Sequence, residues 1–121
     1  MVKRWYFAAQ FARREEVRIY AERTRAAGLT ITSRWLVEPP DDMCTAAAID
    51  LADIDAADGL LLFTENPAVG IVRGSRHVEY GYALCGGKVL EIVGPRESIF
   101  NYLLSDSTVF ATFDAWLEAH Q

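Results

Sequence analysis

Short apolar runs along the chain are separated by longer stretches in which apolar residues recur every three or four positions. The short runs are rich in branched and aromatic side chains, a pattern that predicts buried β-strands. The longer stretches have the spacing of amphipathic helices. The predicted strands cover residues 2–9, 29–36, 60–64, 89–93 and 107–110, and the predicted helices cover 13–27, 45–57, 75–85, 98–104 and 112–120.

This alternation of strand and helix predicts the fold class. It is typical of an α/β protein with a doubly wound, flavodoxin- or Rossmann-like parallel sheet, here of about five strands in a single domain over residues 1–121. Ligands of such sheets bind at the carboxyl ends of the strands. Those ends include residues 8–11, 64–65 and 94–96, so we expect Gln10 and Phe11 to line a binding site.

Composition and charge exclude several classes of protein. The net charge of −5 argues against a general nucleic-acid binder. No apolar run approaches the roughly 20 residues that span a bilayer, so we expect no membrane association. The first residues lack a leader pattern, which predicts a cytoplasmic protein. Neither the two cysteines nor the two histidines have the spacing of a metal site, so we expect no bound metal.

The familiar nucleotide-binding motifs are absent from the chain. The first strand is followed by AAQFAR at residues 8–13, with no GxGxxG, and no GxxxxGK[ST] occurs anywhere. Dinucleotide cofactors and ATP-driven phosphoryl transfer therefore find no support, and we expect no cofactor.

The most informative stretch is RGSRHVEYGYAL at residues 73–84, where a loop leads into a helix that Ser75 can cap. It places Glu79 near the helix start, where backbone N–H groups and the helix dipole favour an ionised carboxylate. The small residues after Glu79 leave room for a ligand to approach. The alternative is that Glu79 is a solvated acid paired with Arg76 one turn earlier.

The segment HVEYGYAL, followed by GGKVLEIVGP, resembles the signature of the nucleoside 2-deoxyribosyltransferase family. Weaker similarities extend over nearly the whole chain. Tyr6 stands where the family has an active-site tyrosine at the end of the first strand. Asp50, eight residues before Asp58, matches a substrate-binding aspartate. Asn101 resembles an asparagine that the family donates to the neighbouring subunit's site.

The resemblance implies a role for each of these residues. Glu79 would attack the anomeric carbon and form a glycosyl-enzyme ester. Asp50 would hold or protonate the departing base, Tyr6 would orient Glu79, and Asn101 would complete the site of a partner in a homodimer or larger homo-oligomer. From the residues alone, Asp50 reads equally well as an exposed helix acid, Tyr6 as a core aromatic and Asn101 as a helix cap.

One departure from the family bears on the substrate. The transferases usually carry a second acid about six residues before the nucleophile, where this chain has Arg73. Two guanidiniums and a hydroxyl beside a helix start suit a phosphate group. The change is similar to that in the related 2'-deoxynucleoside 5'-phosphate N-hydrolases. The candidate substrate-binding residues in this segment are Arg73, Gly74, Ser75, Arg76 and His77.

The sequence therefore predicts an enzyme that breaks the N-glycosidic bond of a small-molecule nucleoside, deoxynucleoside or 5'-monophosphate. It does not separate transfer of the sugar to another base from hydrolysis, because either water or an acceptor base can reach the intermediate. A non-catalytic nucleotide-sensing module on the same scaffold is the alternative, since a fold does not fix a function. A scaffold or inhibitor protein has only generic surface charge in its favour.

Overall fold

The computed structural model describes residues 2–37, 41–66 and 74–121. Its strands are β1 Arg4–Ala8, β2 Thr30–Ile31, β3 Gly59–Phe63, β4 Val89–Val93 and β5 Val109–Phe110. Its helices are α1 Arg14–Ala26, α2 Met43–Asp55, α3 Ser75–Cys85 and α4 Phe113–Ala119. Short 3-10 segments occupy Phe11–Arg13, Arg34–Leu36, Ile99–Leu103 and Asp106–Thr108. Within the described ranges, no helix combines the length and apolar character needed to cross a membrane.

The five strands form one sheet in the order β2-β1-β3-β4-β5, and every neighbouring pair is parallel. This is the flavodoxin-like order of doubly wound sheets. The predicted fold class is therefore confirmed. β3 lies at the centre and is buried along its whole length, which accounts for its uniformly apolar sequence.

Side chains alternate across the sheet, so a hydrophobic cluster forms on each face. In β1, Trp5 and Phe7 pack against α1 and α4. Tyr6 and Ala8 point the other way, into the cluster that α2 and α3 cover. The hydroxyl end of Tyr6 is thereby placed between the sheet and α2 and α3, the helices that carry Asp50 and Glu79.

The second strand is shorter than the sequence predicts, because side chains replace its backbone in bonding to β1. After Ile31 the Ser33 hydroxyl accepts the Phe7 N–H at 3.1 Å. The Trp35 indole N–H then donates to the Phe7 carbonyl at 2.8 Å. Continued strand pairing would use these same backbone groups, so the chain leaves the sheet and turns into the 3-10 segment Arg34–Leu36.

Candidate active site

The sheet changes winding direction between β1 and β3, and the crevice outside two such strand ends is the usual ligand position. Gln10 and Phe11 follow β1 directly, so the structure places both at this edge. Gln10 is partly buried, and Phe11 is 67% exposed. The Arg13 guanidinium ties the two strand ends together, donating to the Thr64 carbonyl at 3.2 Å and to Glu65 at 2.8 Å.

Three predicted catalytic residues meet on the face of the sheet covered by α2 and α3. Tyr6 comes from β1, Asp50 from α2 and Glu79 from α3. The carboxyl groups of Asp50 and Glu79 lie within hydrogen-bonding reach of each other. The Tyr6 hydroxyl is buried with no partner at ordinary hydrogen-bond length, yet it lies close enough to Glu79 to influence its protonation. A buried phenol without a hydrogen-bond partner is uncommon in folded proteins.

Burial raises the pKa of Glu79 to about 8, and the negative charge of the neighbouring Asp50 adds to the shift. Burial also raises the pKa of Asp50. Two carboxyl groups at this separation cannot both ionise without strong repulsion, so they titrate as a pair that keeps one proton at neutral pH. Desolvation, followed by the charges of Glu79 and Asp50, raises the pKa of Tyr6, which remains a neutral hydrogen-bond donor.

The expectation that the helix dipole keeps Glu79 ionised is wrong. α3 begins at Ser75, so Glu79 lies in its second turn, whereas dipole effects are confined largely to the first. The residue before the helix, at the N-cap, is Gly74, and the Ser75 side chain makes no cap. The alternative, a solvated Glu79 paired with Arg76, does not hold either, because Arg76 is buried and pairs with Glu97.

A second polar cluster surrounds Glu97, beyond the carboxyl end of β4. Its carboxylate accepts from the Arg76 guanidinium and from the Glu65 backbone N–H at 3.3 Å. The His77 Nε2 lies 3.6 Å from the same carboxylate. Burial and the Arg76 charge lower the pKa of His77, so its ring is neutral at neutral pH. The charge of Arg76 is therefore compensated within the chain, which corrects its assignment as a free phosphate ligand.

Gly74 and Ser75 are exposed at the start of α3. Ser75 precedes Glu79 by four residues, so the two side chains leave the same side of the helix. Arg73, the other predicted phosphate ligand, lies outside the described residues, and no statement about its position follows.

The expectation that Asn101 reaches a neighbouring subunit is contradicted, because its side chain has no exposed surface. Its Oδ1 accepts the backbone N–H groups of Glu97 at 2.9 Å and Ser98 at 3.0 Å. The Ser98 hydroxyl accepts a hydrogen bond from the backbone N–H of Phe100 at 3.2 Å. Asn101 thus takes part in a capping box at the start of the segment Ile99–Leu103, as the alternative interpretation of this residue holds.

Sequence reasoning missed Asp53, Arg34 and Glu97. Asp53 follows Asp50 by three residues, and this helical spacing was the available signal that both acids face one side of α2. Arg34 and Glu97 lie in irregular segments, and no periodicity indicates which acid or base they meet. Among the residues that the structure describes, no group of three or more His, Cys, Asp and Glu side chains is arranged to hold a metal ion.

No protein-family model matches the chain, and no curated protein matches it either. Among solved structures, the chain is similar to the CMP N-glycosidase BcmB from Clostridium botulinum, with a TM-score of 0.61 over 97% of each chain. The sequence identity between the two is 20%. At that identity the similarity establishes a shared fold: a parallel five-stranded α/β sheet flanked by helices.

Proposed function

We propose that this chain cleaves the N-glycosidic bond of a nucleoside 5'-monophosphate, with Glu79 as nucleophile and Asp50 as proton donor. One observation carries the proposal: the carboxyl groups of Asp50 and Glu79 lie within hydrogen-bonding reach of each other beside the buried Tyr6 hydroxyl. A carboxylate nucleophile beside a protonated carboxyl group suits displacement at an anomeric carbon. The similarity in fold to a CMP N-glycosidase supports the same class of bond.

The proposed reaction has two steps. First, a Glu79 carboxylate oxygen bonds to C1' of the sugar while the C1'–N bond breaks, and its electron pair leaves with the base. Protonated Asp50 gives its proton to that base. Water then attacks C1', Asp50 takes one of its protons, and Glu79 leaves as a carboxylate. The Tyr6 hydroxyl, which lies close to Glu79, orients the attacking carboxylate.

The start of α3 is the proposed position of the 5'-phosphate. Gly74 supplies no side-chain cap, and the first turn contains no acid, so its N–H groups and the helix dipole favour an anion. The exposed Ser75 hydroxyl adds a donor on the side of the helix that carries Glu79. We assign Arg73 to the same phosphate from the sequence pattern.

The proposed base position lies at the end of β1. Phe11 is exposed there, with its ring centroid 6.4 Å from that of Trp35. An exposed aromatic ring provides a stacking surface for a nucleobase. Gln10 precedes it, and its amide can donate to or accept from the edge of a base.

We also propose that the chain forms a homodimer through α3 and the segment Ile99–Leu103. Val78 is 70% exposed, Phe100 56% and Leu103 68%. A groove of about 490 Å³ lies between the two elements, lined by His77, Val78, Tyr80, Gly81, Leu84, Ser98 and Phe100. Apolar side chains grouped on one surface are typical of a protein interface. Because α3 carries Glu79, a second copy on this surface would help to exclude water from the site.

The experiment that tests this function is incubation with a panel of nucleosides and their 5'-monophosphates, assayed for free base by chromatography. We expect base release from at least one monophosphate, with a lower kcat/KM for the matching nucleoside. A parallel reaction with a second free base separates hydrolysis, which yields the free sugar phosphate, from transfer. Tight nucleotide binding without base release would support the sensing module and contradict the proposed enzyme.

A further inference from the structure

The first turn of α3, which leads to Glu79, is anchored by a charged side chain rather than by apolar packing. Tyr80 and Ala83 are buried and anchor the later turns. In the first turn, Val78 is 70% exposed, whereas Arg76 is 2% exposed. The N-cap residue is a glycine, which has no side chain to cap the helix. The position of this turn therefore depends on what holds the Arg76 guanidinium.

Glu97 binds this guanidinium from the segment that follows β4. Its Oε2 lies 2.5 Å from Arg76 Nη2, and its side chain is 13% exposed. Its Oε1 accepts the backbone N–H of Glu65, two residues after the end of β3, at 3.3 Å. One carboxylate thus connects the first turn of α3 with the carboxyl ends of β3 and β4. This is the edge of the sheet at which ligands of such folds bind.

The backbone around Glu97 is fixed independently of Arg76. The Glu97 N–H donates to Asn101 Oδ1 at 2.9 Å, and Asn101 has no exposed surface. The Arg96 guanidinium donates to the Asn101 carbonyl at 3.3 Å and to the Leu104 carbonyl at 2.8 Å. The Glu97 carboxylate therefore reaches α3 from a held segment, and its low exposure limits the screening of the ion pair by water and salt.

A shift of this first turn would carry Glu79 with it. Glu79 follows Arg76 by three residues, which is close to one helical turn and about 4.5 Å along the axis. The turn is held together by its own backbone hydrogen bonds, so it moves as a unit. Tyr6 and Asp50 come from β1 and α2. A displacement of α3 therefore changes the distance from the Glu79 carboxyl group to both of them.

We propose that Glu97 is a positioning residue: through Arg76 it fixes the first turn of α3 on the sheet and so sets where the Glu79 carboxylate stands. This inference rests on the proposed function, in which Glu79 attacks the sugar. Such an attack demands an accurate approach, and a misplacement of about 1 Å can lower a rate about 100-fold. Glu97 acts on the reaction through Arg76 and the helix, without contacting the substrate.

The first test replaces Glu97 with Gln, which keeps the shape and removes the charge that binds Arg76. Glu91→Gln is the matched control. The Glu91 side chain is 12% exposed and lies 2.6 Å from His120, so it is equally buried and paired, but it faces α4 on the other side of the sheet.

At saturating monophosphate we expect base release by Glu97→Gln to be slower than that of the parent by about tenfold or more. Base release by Glu91→Gln should stay within about twofold of the parent. Equal slowing in the two variants would indicate a general loss of packing and would overturn the inference.

A double variant separates the position of α3 from charge and stability. Glu97→Gln alone leaves the buried Arg76 without this carboxylate, which destabilises the fold. Adding Arg76→Met removes both charges and keeps a flexible side chain that fills the space. The net charge is then that of the parent, but the ion pair is absent. We expect base release to remain about tenfold or more below that of the parent, whereas a merely structural role predicts recovery.

A second readout needs no substrate. Burial and the charge of Asp50 raise the pKa of Glu79 to about 8, and a displaced α3 would weaken both effects. Carbon-13 NMR of the side-chain carboxyl groups follows this titration in the free protein. The Glu79 midpoint should fall by about one pH unit or more in the double variant and stay in place in Glu91→Gln.

The outcomes separate this inference from the proposed function. If the parent releases base, the inference is overturned, and the proposed function stands, when the double variant keeps a rate within about twofold of the parent or an unmoved Glu79 midpoint. If the parent releases base from no monophosphate, the proposed function fails. The NMR midpoint then decides alone whether Glu97 positions Glu79.

Discussion

The Asp50–Glu79 pair owes its retained proton to its surroundings in the folded chain. Burial and the Asp50 charge both favour the neutral form of Glu79, and only the Tyr6 hydroxyl opposes them. A carboxyl group in this setting lowers the free energy of unfolding at neutral pH, because it would ionise freely in the unfolded chain. In the proposed reaction, the same burial that destabilises the carboxylate in the free protein would make it reactive towards an electrophilic carbon.

This arrangement predicts how stability depends on pH. The pKa of Glu79 rises from an ordinary 4.5 to about 8 on folding. Between these values the folded chain binds more protons than the unfolded chain, so the free energy of unfolding falls as the pH rises. We expect Glu79→Gln to be more stable than the parent at pH 8 by on the order of 2 kcal/mol, and nearly equal to it at pH 5.

Urea denaturation of both proteins at several pH values measures this difference. Glu118→Gln serves as the control, because it removes an exposed acid from α4. The difference in free energy of unfolding between Glu118→Gln and the parent should not grow from pH 5 to pH 8. A difference between Glu79→Gln and the parent that does not grow from pH 5 to pH 8 would contradict the raised pKa.

At this scale the sequence did not reveal the charge states of the candidate residues. The pattern around Glu79 indicated a helix, and α3 lies there. The protonation of Glu79 depends on Asp50, which lies on another helix, and on the depth of both residues in the protein. Likewise, Arg76 looked available for a phosphate because nothing in the sequence indicates that Glu97 folds back onto it.

The two central strands β3 and β4 and the helix α3 were predicted accurately. β4 has the predicted bounds, and β3 and α3 differ from prediction by no more than one residue at either end. The predicted second strand was too long. The alternating pattern of residues 29–36 does not reveal that Ser33 and Trp35 form hydrogen bonds to β1 through their side chains. The β-propensity of a segment reflects its local sequence, whereas these side-chain hydrogen bonds depend on tertiary contacts.

The exposed apolar surface of α3 and Ile99–Leu103 gives a prediction about assembly. A charge placed within an apolar interface must be desolvated without a partner, which opposes association. We therefore expect the parent chain to sediment as a dimer and Phe100→Glu to sediment as a monomer at the same concentration. Met43→Glu is the control, because Met43 is 78% exposed at the start of α2 and does not line the groove. A parent that stays monomeric at tens of micromolar would contradict the proposed interface.

At the scale of the whole molecule, the alternation of strands and helices was sufficient to predict the fold class. The carboxyl-end rule for parallel sheets also predicted the edge at which Gln10 and Phe11 lie. The family resemblance implied that Asp50 and Glu79 share a site, but the residues alone could not show it, because their meeting depends on how α2 and α3 pack on the same face of the sheet. Nor could it show that Asn101 is buried within its own chain.

The central claim is that the Glu79 carboxylate attacks the sugar, and single-turnover base release by Glu79→Gln tests it most directly. The amide keeps the shape of the side chain but lacks the negative charge that forms the new bond. We expect the rate constant for base release from the preferred monophosphate to fall by about three orders of magnitude or more, while the Kd for that monophosphate changes little. Base release by Glu79→Gln at a rate near that of the parent would contradict the account.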